Sequence, residues 1–450
     1  MHDFGNIKTT MGRGRISPPG EPVHYKGFSR RLCVSTSSML LWLLAVCLAP
    51  AAFAQTALTW QQVREKFQAA NPTLHAGQIG LQESKAQEIT AYLRPNPNLT
   101  IAADQFDPFP ATPYRPLQYF FPVTTFDYLH ERQNKRELRL DSARKGTEIA
   151  ELQQTDLERT LIFSLRQAFV QTLQAKSVLA LATENLAYFD REIVINRNRY
   201  QAGDIARVDL DRLELQRVQY ESDFQTAQVN LRSAKIAILA LLNDRTPVDS
   251  FDVTGPFEFA DRIMPLEEFH KTALEARPDL KAAVQTISKA ETDHRLAVAN
   301  GSTDPTFGVD FGRNPPISAY FGLSLNIPLR IFDRNQGEKA RTEIDIKHAE
   351  TMRDVTQAQV FSDVDSAYVM LVSSVNLLRP YQGTEGYLQR STRVRDDVAF
   401  AYQRGSASLV DFLDSQRDYR GIQVAYVNLV GAYLVAASQL NLAVGREVVQ

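Results

Sequence analysis

An internal duplication limits the folds open to this chain more than any other feature of its sequence. The segment Tyr200–Gly203 aligns with Tyr402–Gly405, and without gaps Val208–Asp209 then falls on Val410–Asp411. Both segments place a glycine three residues after a tyrosine and an aspartate six residues after that glycine. A repeated glycine turn of this kind predicts two similar helical hairpins in one chain.

Two further blocks match in the same order along the sequence. Asn71–Leu74 aligns with Arg277–Leu280 and Phe121–Pro122 with Ile327–Pro328, both at an offset of 206 residues, against 202 for the first block. Ordered matches at nearly constant offset indicate that one unit of about 200 residues occurs twice. The predicted organisation is a first repeat over 55–250, a connector over 251–265 and a second repeat over 266–450.

Each repeat is predicted to contain the same elements. A helix opens it, two short alternating segments follow, and a very long helix then leads through a glycine turn into a returning helix. The predicted helices span roughly 58–93, 126–200 and 207–243, then 266–299, 332–402 and 408–444. A 75-residue helix reaches about 110 Å, which no compact globular domain needs. Pro380, Gly383 and Gly386 predict a bend in the second long helix.

The short segments alternate between apolar and small or polar residues, which predicts β-strands. One face of such a strand holds Phe307, Val309 and Phe311, and the other holds Gly308, Asp310 and Gly312. This period fits the lipid and lumen sides of a membrane barrel. It also fits a soluble hairpin with one buried face. Four strands cannot close a barrel alone, so a membrane barrel would need several chains.

The N-terminus is typical of an exported protein. Arg30 and Arg31 precede a short apolar run over 39–48, and Ala52–Ala54 offers a small-residue cleavage site. We therefore predict a signal peptide over 1–54, with a buried helix, a lipidated Cys47 or twin-arginine export as alternatives. The only other cysteine is Cys33, so the predicted mature chain has no disulfide and no thiolate metal site.

Charge and motifs argue against two classes of protein. The 50 Lys and Arg balance 52 Asp and Glu, so no basic surface predicts a nucleic-acid partner. The seven histidines form no close pair, and no phosphate-binding glycine loop or supported catalytic triad is present. We therefore expect no enzymatic activity, no cofactor and no bound metal.

Several short motifs occur in a fixed order, and one family shares them. They are Asn71–Pro72, Arg94–Pro97, the Gly203 and Gly405 turns, Ile327–Leu329 and Phe332–Gly337. Together they make the chain resemble the TolC family of outer-membrane efflux channels over Leu58–Gly445. Arg94–Pro97 and Asp333–Gly337 most resemble the CzcC-like, heavy-metal-efflux branch of that family.

The resemblance implies a mainly α-helical fold with a membrane β-barrel. A homotrimer would share one twelve-stranded barrel in outer-membrane lipid, four strands from each chain, above a long periplasmic helical tunnel. It implies a passive exit channel for heavy-metal cations, in a pump with a periplasmic adaptor and an inner-membrane RND-type transporter. Multidrug efflux, type I protein secretion and a coiled-coil scaffold without a pore are the alternatives.

The resemblance also implies roles for particular residues near the two glycine turns. Asp411 and Asp414 would line the pore constriction, where carboxylate rings favour cations. Tyr402 and Asp209 would form a gate pair, although the arginine that the family can place two residues after the second glycine is replaced by Ala407. The contacts with the adaptor would be made by Ala202, Gly203, Asp204, Ile205, Arg404, Gly405, Ser406 and Ala407.

Overall fold

The computed structural model describes residues 57–104, 113, 115, 117, 120–260, 264–314 and 316–449. The predicted signal peptide, with Cys33 and Cys47, lies outside the described residues. The helices of the first half are α1 Trp60–Ala70, α2 Pro72–Tyr92, α3 Lys135–Ala202 and α4 Arg207–Leu241. Those of the second half are α5 Leu266–Ala276, α6 Pro278–Asn300, α7 Gln336–Leu378, α8 Tyr387–Gln403 and α9 Leu409–Val444.

Four strands complete the fold and form one antiparallel sheet. They are β1 Asn98–Asp104, β2 Phe121–Leu129, β3 Thr306–Asn314 and β4 Ile317–Asn326, paired in the order β1-β2-β3-β4. Each half therefore runs through two helices, two strands, a long helical segment and a returning helix. The predicted fold class, mainly helical with four strands, is confirmed.

Two predicted helices are in fact pairs of helices, so their predicted spans were wrong. The first breaks at Asn71, whose backbone is extended at φ −71° and ψ 120°. A residue before proline avoids the helical region, and proline suits the first turn of a new helix, so Pro72 starts α2. The Asn71 side chain caps α2 by accepting from the Thr73 and Leu74 N–H groups at 2.9 and 3.1 Å. Arg277 and Pro278 repeat the break between α5 and α6.

The predicted starts of the two long helices were also wrong. Phe126 lies inside β2, and α3 begins only after Asn134, which has a left-handed backbone with φ 52°. The second long helix begins after Asn335, at φ 61°, and ends at Leu378. A short 3₁₀ turn, Arg379–Tyr381, and the following glycines separate it from α8, where the bend was predicted.

The sheet has one apolar face and one polar face. Cross-strand pairing aligns Leu99 with Phe126, Phe126 with Val309 and Val309 with Leu323, which places apolar side chains in rows across all four strands. The exposed members of this apolar face are Leu99, Ile101, Phe126, Phe307, Val309, Phe311, Phe321, Leu323 and Leu325. On the other face Thr125 Oγ1 donates to Asp310 Oδ1 at 2.7 Å.

The buried apolar residues of the helical body form three clusters, and α9 contributes to two of them. This helix alone, among the described residues, is long and apolar enough to cross a membrane, but 61% of its most apolar window is buried inside the protein. Tyr433, Leu440 and Val444 of α9 pack against α5 and α7. By its packing, α9 is a core helix of the body.

Matching polar contacts tie the start of each half to its returning helix. Asn71 Nδ2 donates to the carbonyl of Leu241 at 3.0 Å, and Arg277 Nη1 donates to the carbonyl of Ala443 at 3.2 Å. Buried Arg277 also pairs with Asp279 at 2.6 Å and Asp363 at 2.8 Å. The start of the second half is thus joined to its returning helix by a charged network, whereas the start of the first half is joined to its returning helix by a single amide.

We predict that Arg277→Ala destabilises the helical body by about 3 kcal/mol, because it leaves two part-buried carboxylates without their partner. Circular dichroism of the purified protein should show an earlier loss of helical signal on heating. Arg341→Ala is the matched control, since Arg341 is exposed on α7 and pairs with Glu338 and Asp345. It should change stability by less than about 0.5 kcal/mol. Equal effects of the two substitutions would contradict the prediction.

Candidate functional site: the helical tips

Two glycines with left-handed backbones form the turns between the hairpin helices. Gly203 has φ 84° and Gly405 has φ 77°. The Asp204 N–H donates to the Arg199 carbonyl at 2.9 Å, and the Ser406 N–H donates to the Ala401 carbonyl at 2.9 Å. Nothing lies within 4 Å of a Cβ built at either glycine, so the backbone angle and not crowding favours glycine there.

The predicted contact residues lie at these turns. Ala202, Gly203, Asp204, Arg404, Gly405 and Ser406 are exposed, and Ile205 and Ala407 are half-buried. Their surfaces are therefore accessible in this chain. A contact with an adaptor stays a prediction.

Next to the two turns, helices α3, α4, α8 and α9 meet in one apolar cluster, here called the tip core. Its buried members are Phe189, Ile193, Leu213, Tyr220, Ala399, Tyr402, Leu409 and Phe412. The rings of Phe189 and Tyr220 stack at a centroid distance of 4.4 Å, and those of Tyr402 and Phe412 stack at 4.9 Å. The tip core therefore joins the first hairpin to the second.

Tyr402, one member of the predicted gate pair, is hydrogen-bonded to α3. Its hydroxyl donates to Asn196 Oδ1 at 3.1 Å, and a phenol has only one proton to donate. Burial raises the pKa of Tyr402, Arg199 lowers it, and the charge of Asp209 raises it, so Asp209 acts at longer range. A gate role for Tyr402 and Asp209 stays a prediction.

Sequence reasoning missed a row of polar residues on α3, here called the polar ladder. Its members are Glu192, Asn196 and Arg199. Asn196 is fully buried, its Nδ2 donates to the Glu192 carbonyl at 2.8 Å, and its Oδ1 also accepts from Arg199 Nη1 at 3.4 Å. Phe189, Ile193 and Asn196 follow helical spacing toward the tip. An asparagine at helical spacing from two apolar residues was the sequence pattern that could have identified this buried position.

Glu192 places the carboxyl group of the polar ladder inside the protein. The residue is 5% exposed, and its Oε2 atom has no hydrogen-bond partner. Burial raises the pKa of Glu192, while Gln403, Tyr188 and Arg191 act in the opposite direction. The ordinary cost of burying a charge explains the direction of the shift.

Asp411 and Asp414 are exposed, and each already has a local partner. Asp411 completes a capping box, in which it accepts from the Ser408 hydroxyl at 2.7 Å and from the Ser408 N–H at 3.1 Å. These bonds lower the pKa of Asp411. Asp414 pairs with Arg417 at 2.9 Å. Their role at a constriction stays a prediction.

The structure extends this acidic stripe by one residue. Asp418 follows Asp411 by seven positions and Asp414 by four, so all three share a face of α9. Arg417 lies within 4.0 Å of Asp418 as well as beside Asp414. Sequence reasoning missed Asp418 and Arg417, although their spacing was visible.

In the part of the chain that the structure describes, no three His, Cys, Asp or Glu side chains lie together in a way that could hold a metal ion. The chemistry of the tips is instead that of exposed charges around the polar ladder. Such an arrangement can attract ions and bind a partner.

The amino-acid sequence is similar to one protein family and to several curated proteins. The family described as Outer membrane efflux protein matches residues 270–446. The cobalt-zinc-cadmium resistance protein CzcC of Cupriavidus metallidurans is 24% identical over 388 residues, which cover 84% of this chain and 87% of CzcC. The outer membrane protein TolC of Escherichia coli is 21% identical, over 64% of this chain and 61% of TolC.

Solved structures show the same fold. A crystal structure of CusC, described for its transmembrane channel formation, superposes with a TM-score of 0.72 at 16% identity, over 87% of this chain and 93% of CusC. The family match, the curated relatives and the shared fold agree on one class of protein. The second half of the chain thus matches the Outer membrane efflux protein family, and the whole described chain has the fold of the solved outer-membrane efflux channels.

Proposed function

We propose that three copies of the chain form the exit duct of a tripartite pump that exports metal cations. A periplasmic adaptor would bind the helical tips, and an inner-membrane RND-type transporter would supply the energy. The duct itself would conduct passively. The observation that carries the proposal is the sheet, with its exposed apolar face and its two edges that lack a partner among the described residues.

The sheet supports assembly from several chains. In the order β1-β2-β3-β4, strands β1 and β4 each lack a neighbour on one side within the described residues. Unpaired backbone groups are not tolerated in hydrocarbon, so an apolar sheet of this kind must close into a barrel. Two copies would give an eight-stranded barrel, and side chains fill the interior of a barrel of that size. Three copies give twelve strands, which leave room for an aqueous lumen.

Exposed apolar stripes on the helices support contacts between copies. Val208, Leu215, Val229 and Ile236 are exposed on α4 at intervals of seven or fourteen residues. A seven-residue period on one face is typical of helices that pack against a partner helix. Exposed Tyr387 and Val394 on α8 are also seven residues apart. We assign the α4 stripe of one copy and the α8 stripe of the next copy to the same interface. Repetition of this interface around the axis closes the ring.

The tips suit an adaptor because they end long, rigid hairpins. With 68 residues, α3 extends about 100 Å toward the Gly203 turn. The residues from Ala202 to Ile205 and from Arg404 to Ala407 form the two ends. Exposed polar groups there, such as Asp204, Arg404 and Ser406, can bind a partner in water.

Metal cations are the proposed cargo for two reasons. CzcC, a relative aligned over 84% of this chain, is named for cobalt, zinc and cadmium resistance. The stripe of Asp411, Asp414 and Asp418 would form acidic rings in a trimer, and such rings favour cations. A duct must release what it conducts, so tight metal binding is not required of it.

We predict that deleting the gene sensitises the cell to divalent or monovalent metal ions and not to hydrophobic drugs or dyes. Growth inhibition across both panels, in the deletion strain and its complemented control, measures this. Sensitivity to drugs instead of metals would contradict the metal cargo and favour multidrug efflux. If metals and drugs leave growth unchanged while export of a protein fails, the chain serves protein secretion.

We also predict that Asp411→Ala combined with Asp414→Ala lowers the cation-to-anion permeability ratio by about fivefold. That factor equals about 1 kcal/mol, the Coulomb energy of one exposed charge pair near contact distance. Arg417→Ala should raise the ratio, because it frees Asp414 from its partner. Reversal potentials in planar bilayers under a salt gradient measure both effects.

The control for this experiment is Asp249→Ala. Asp249 lies in the 3₁₀ turn Val248–Ser250 beyond the far end of α4, about 50 Å along that helix from the tip. Its substitution should leave the reversal potential unchanged. An unchanged ratio in the Asp411 and Asp414 double variant would remove both residues from the pore.

A further inference from the structure

None of the functions proposed above involves Glu192. It is 5% exposed on α3 between the tip-core residues Phe189 and Ile193, its Oε2 atom has no hydrogen-bond partner, and it forms no ion pair among the described residues. Buried polar groups in native proteins are normally satisfied, so an exception of this kind calls for a functional explanation. A carboxyl group in such a place is most stable when it is neutral.

The surroundings of Glu192 come from both hairpins. On α3, Tyr188 and Arg191 are the nearest titratable groups, and α8 adds uncharged Gln403 and the Tyr402 phenol. From α9, Gln416 donates to Tyr188 at 3.3 Å. Other charges act through the two tyrosines: Arg395 and Asp396 of α8 on Tyr188, and Arg199 of α3 and Asp209 of α4 on Tyr402.

We propose that Glu192 is a proton-dependent lock between the two hairpins, which pack together with this carboxyl protonated and separate with it ionised. The proton comes from solvent and returns to solvent when the helices part. This proposal rests on the proposed channel function and adds a regulation of its periplasmic tip.

The contacts explain why one proton would affect the whole tip. Gln403 on α8 is close enough to Glu192 to affect its pKa, and Tyr402 on the same helix donates to Asn196, one turn from Glu192 on α3. Movement of α8 away from α3 would therefore expose Glu192 to water and break the Tyr402–Asn196 bond together. Ionisation of Glu192 in the packed state opposes the packing, because water is excluded there.

The direction of the pH dependence follows from burial. Burial raises the pKa of Glu192 above its usual value of 4.5, so the packed tip binds the proton more tightly than the opened tip. Between the usual and the raised pKa, opening releases a proton. The opened fraction then increases with pH, by at most about tenfold per pH unit, and levels off above the raised pKa.

Cysteine reactivity can measure this opening in the full-length protein. Ala399 lies in the tip core on α8 and is 7% exposed, so an Ala399→Cys thiol reacts with a maleimide only when the tip opens. Ser406→Cys, on the exposed turn, corrects for the pH dependence of the thiol itself. The ratio of the two rates from pH 5 to pH 8 is compared in Glu192, Glu192→Gln and Glu184→Gln backgrounds. Glu184 is the matched control, being an exposed carboxylate on α3.

We expect the ratio to rise several-fold with pH in the native and Glu184→Gln backgrounds and to stay flat in Glu192→Gln. A flat ratio with native Glu192, or the same slope in Glu192→Gln, would overturn the lock. Glu192→Met, which is also uncharged, replaces Glu192→Gln if that variant assembles poorly. Conductance of the same preparations separates the two proposals. Conducting channels with a flat ratio overturn the lock alone, whereas a Glu192-dependent slope without conductance overturns the channel and leaves the lock.

Discussion

The two edges of the four-stranded sheet, which have no pairing partner among the described residues, are the constraint on which the proposed assembly depends. Lipid offers no hydrogen bonds to a backbone N–H or C=O group, so strands β1 and β4 need partners from other chains. In the proposed trimer, closure into one barrel sets the symmetry, and the symmetry fixes how the long helices meet below it. The exposed apolar stripes on α4 and α8 and the exposed apolar face of the sheet then have a common explanation.

The two halves share an outline but differ in detail. The Asn71 side-chain amide donates one hydrogen bond to the first returning helix. Arg277 donates to the second returning helix and also forms buried ion pairs. The second long helix is broken at Arg379–Tyr381, and the first is continuous over 68 residues. The tip core then joins the halves through contacts between α3, α4, α8 and α9. The duplicated sequence therefore supplies two hairpins that are similar in plan and different in stiffness.

Sequence patterns predicted most of the architecture because the relevant signals are local. Alternation gave β3 and β4, helical spacing gave the long helices, and Gly203 and Gly405 gave the turns. Phe126 was placed in a helix because a nine-residue strand beside a long helix leaves a weak periodic signal. The partner of Tyr402 could not be read from the sequence, since Asn196 is 206 residues away and meets it only in the folded tip. The unsatisfied Glu192 is likewise a product of packing.

The most direct test of the central claim is cryo-electron microscopy of the purified protein in lipid nanodiscs. The account predicts a particle with threefold symmetry, in which three sheets close one twelve-stranded barrel through β1 and β4 of neighbouring chains. Long hairpins should extend from the barrel to tips at the Gly203 and Gly405 turns. A particle that does not insert into lipid, or one in which β1 and β4 pair with no second copy of the chain, would contradict it.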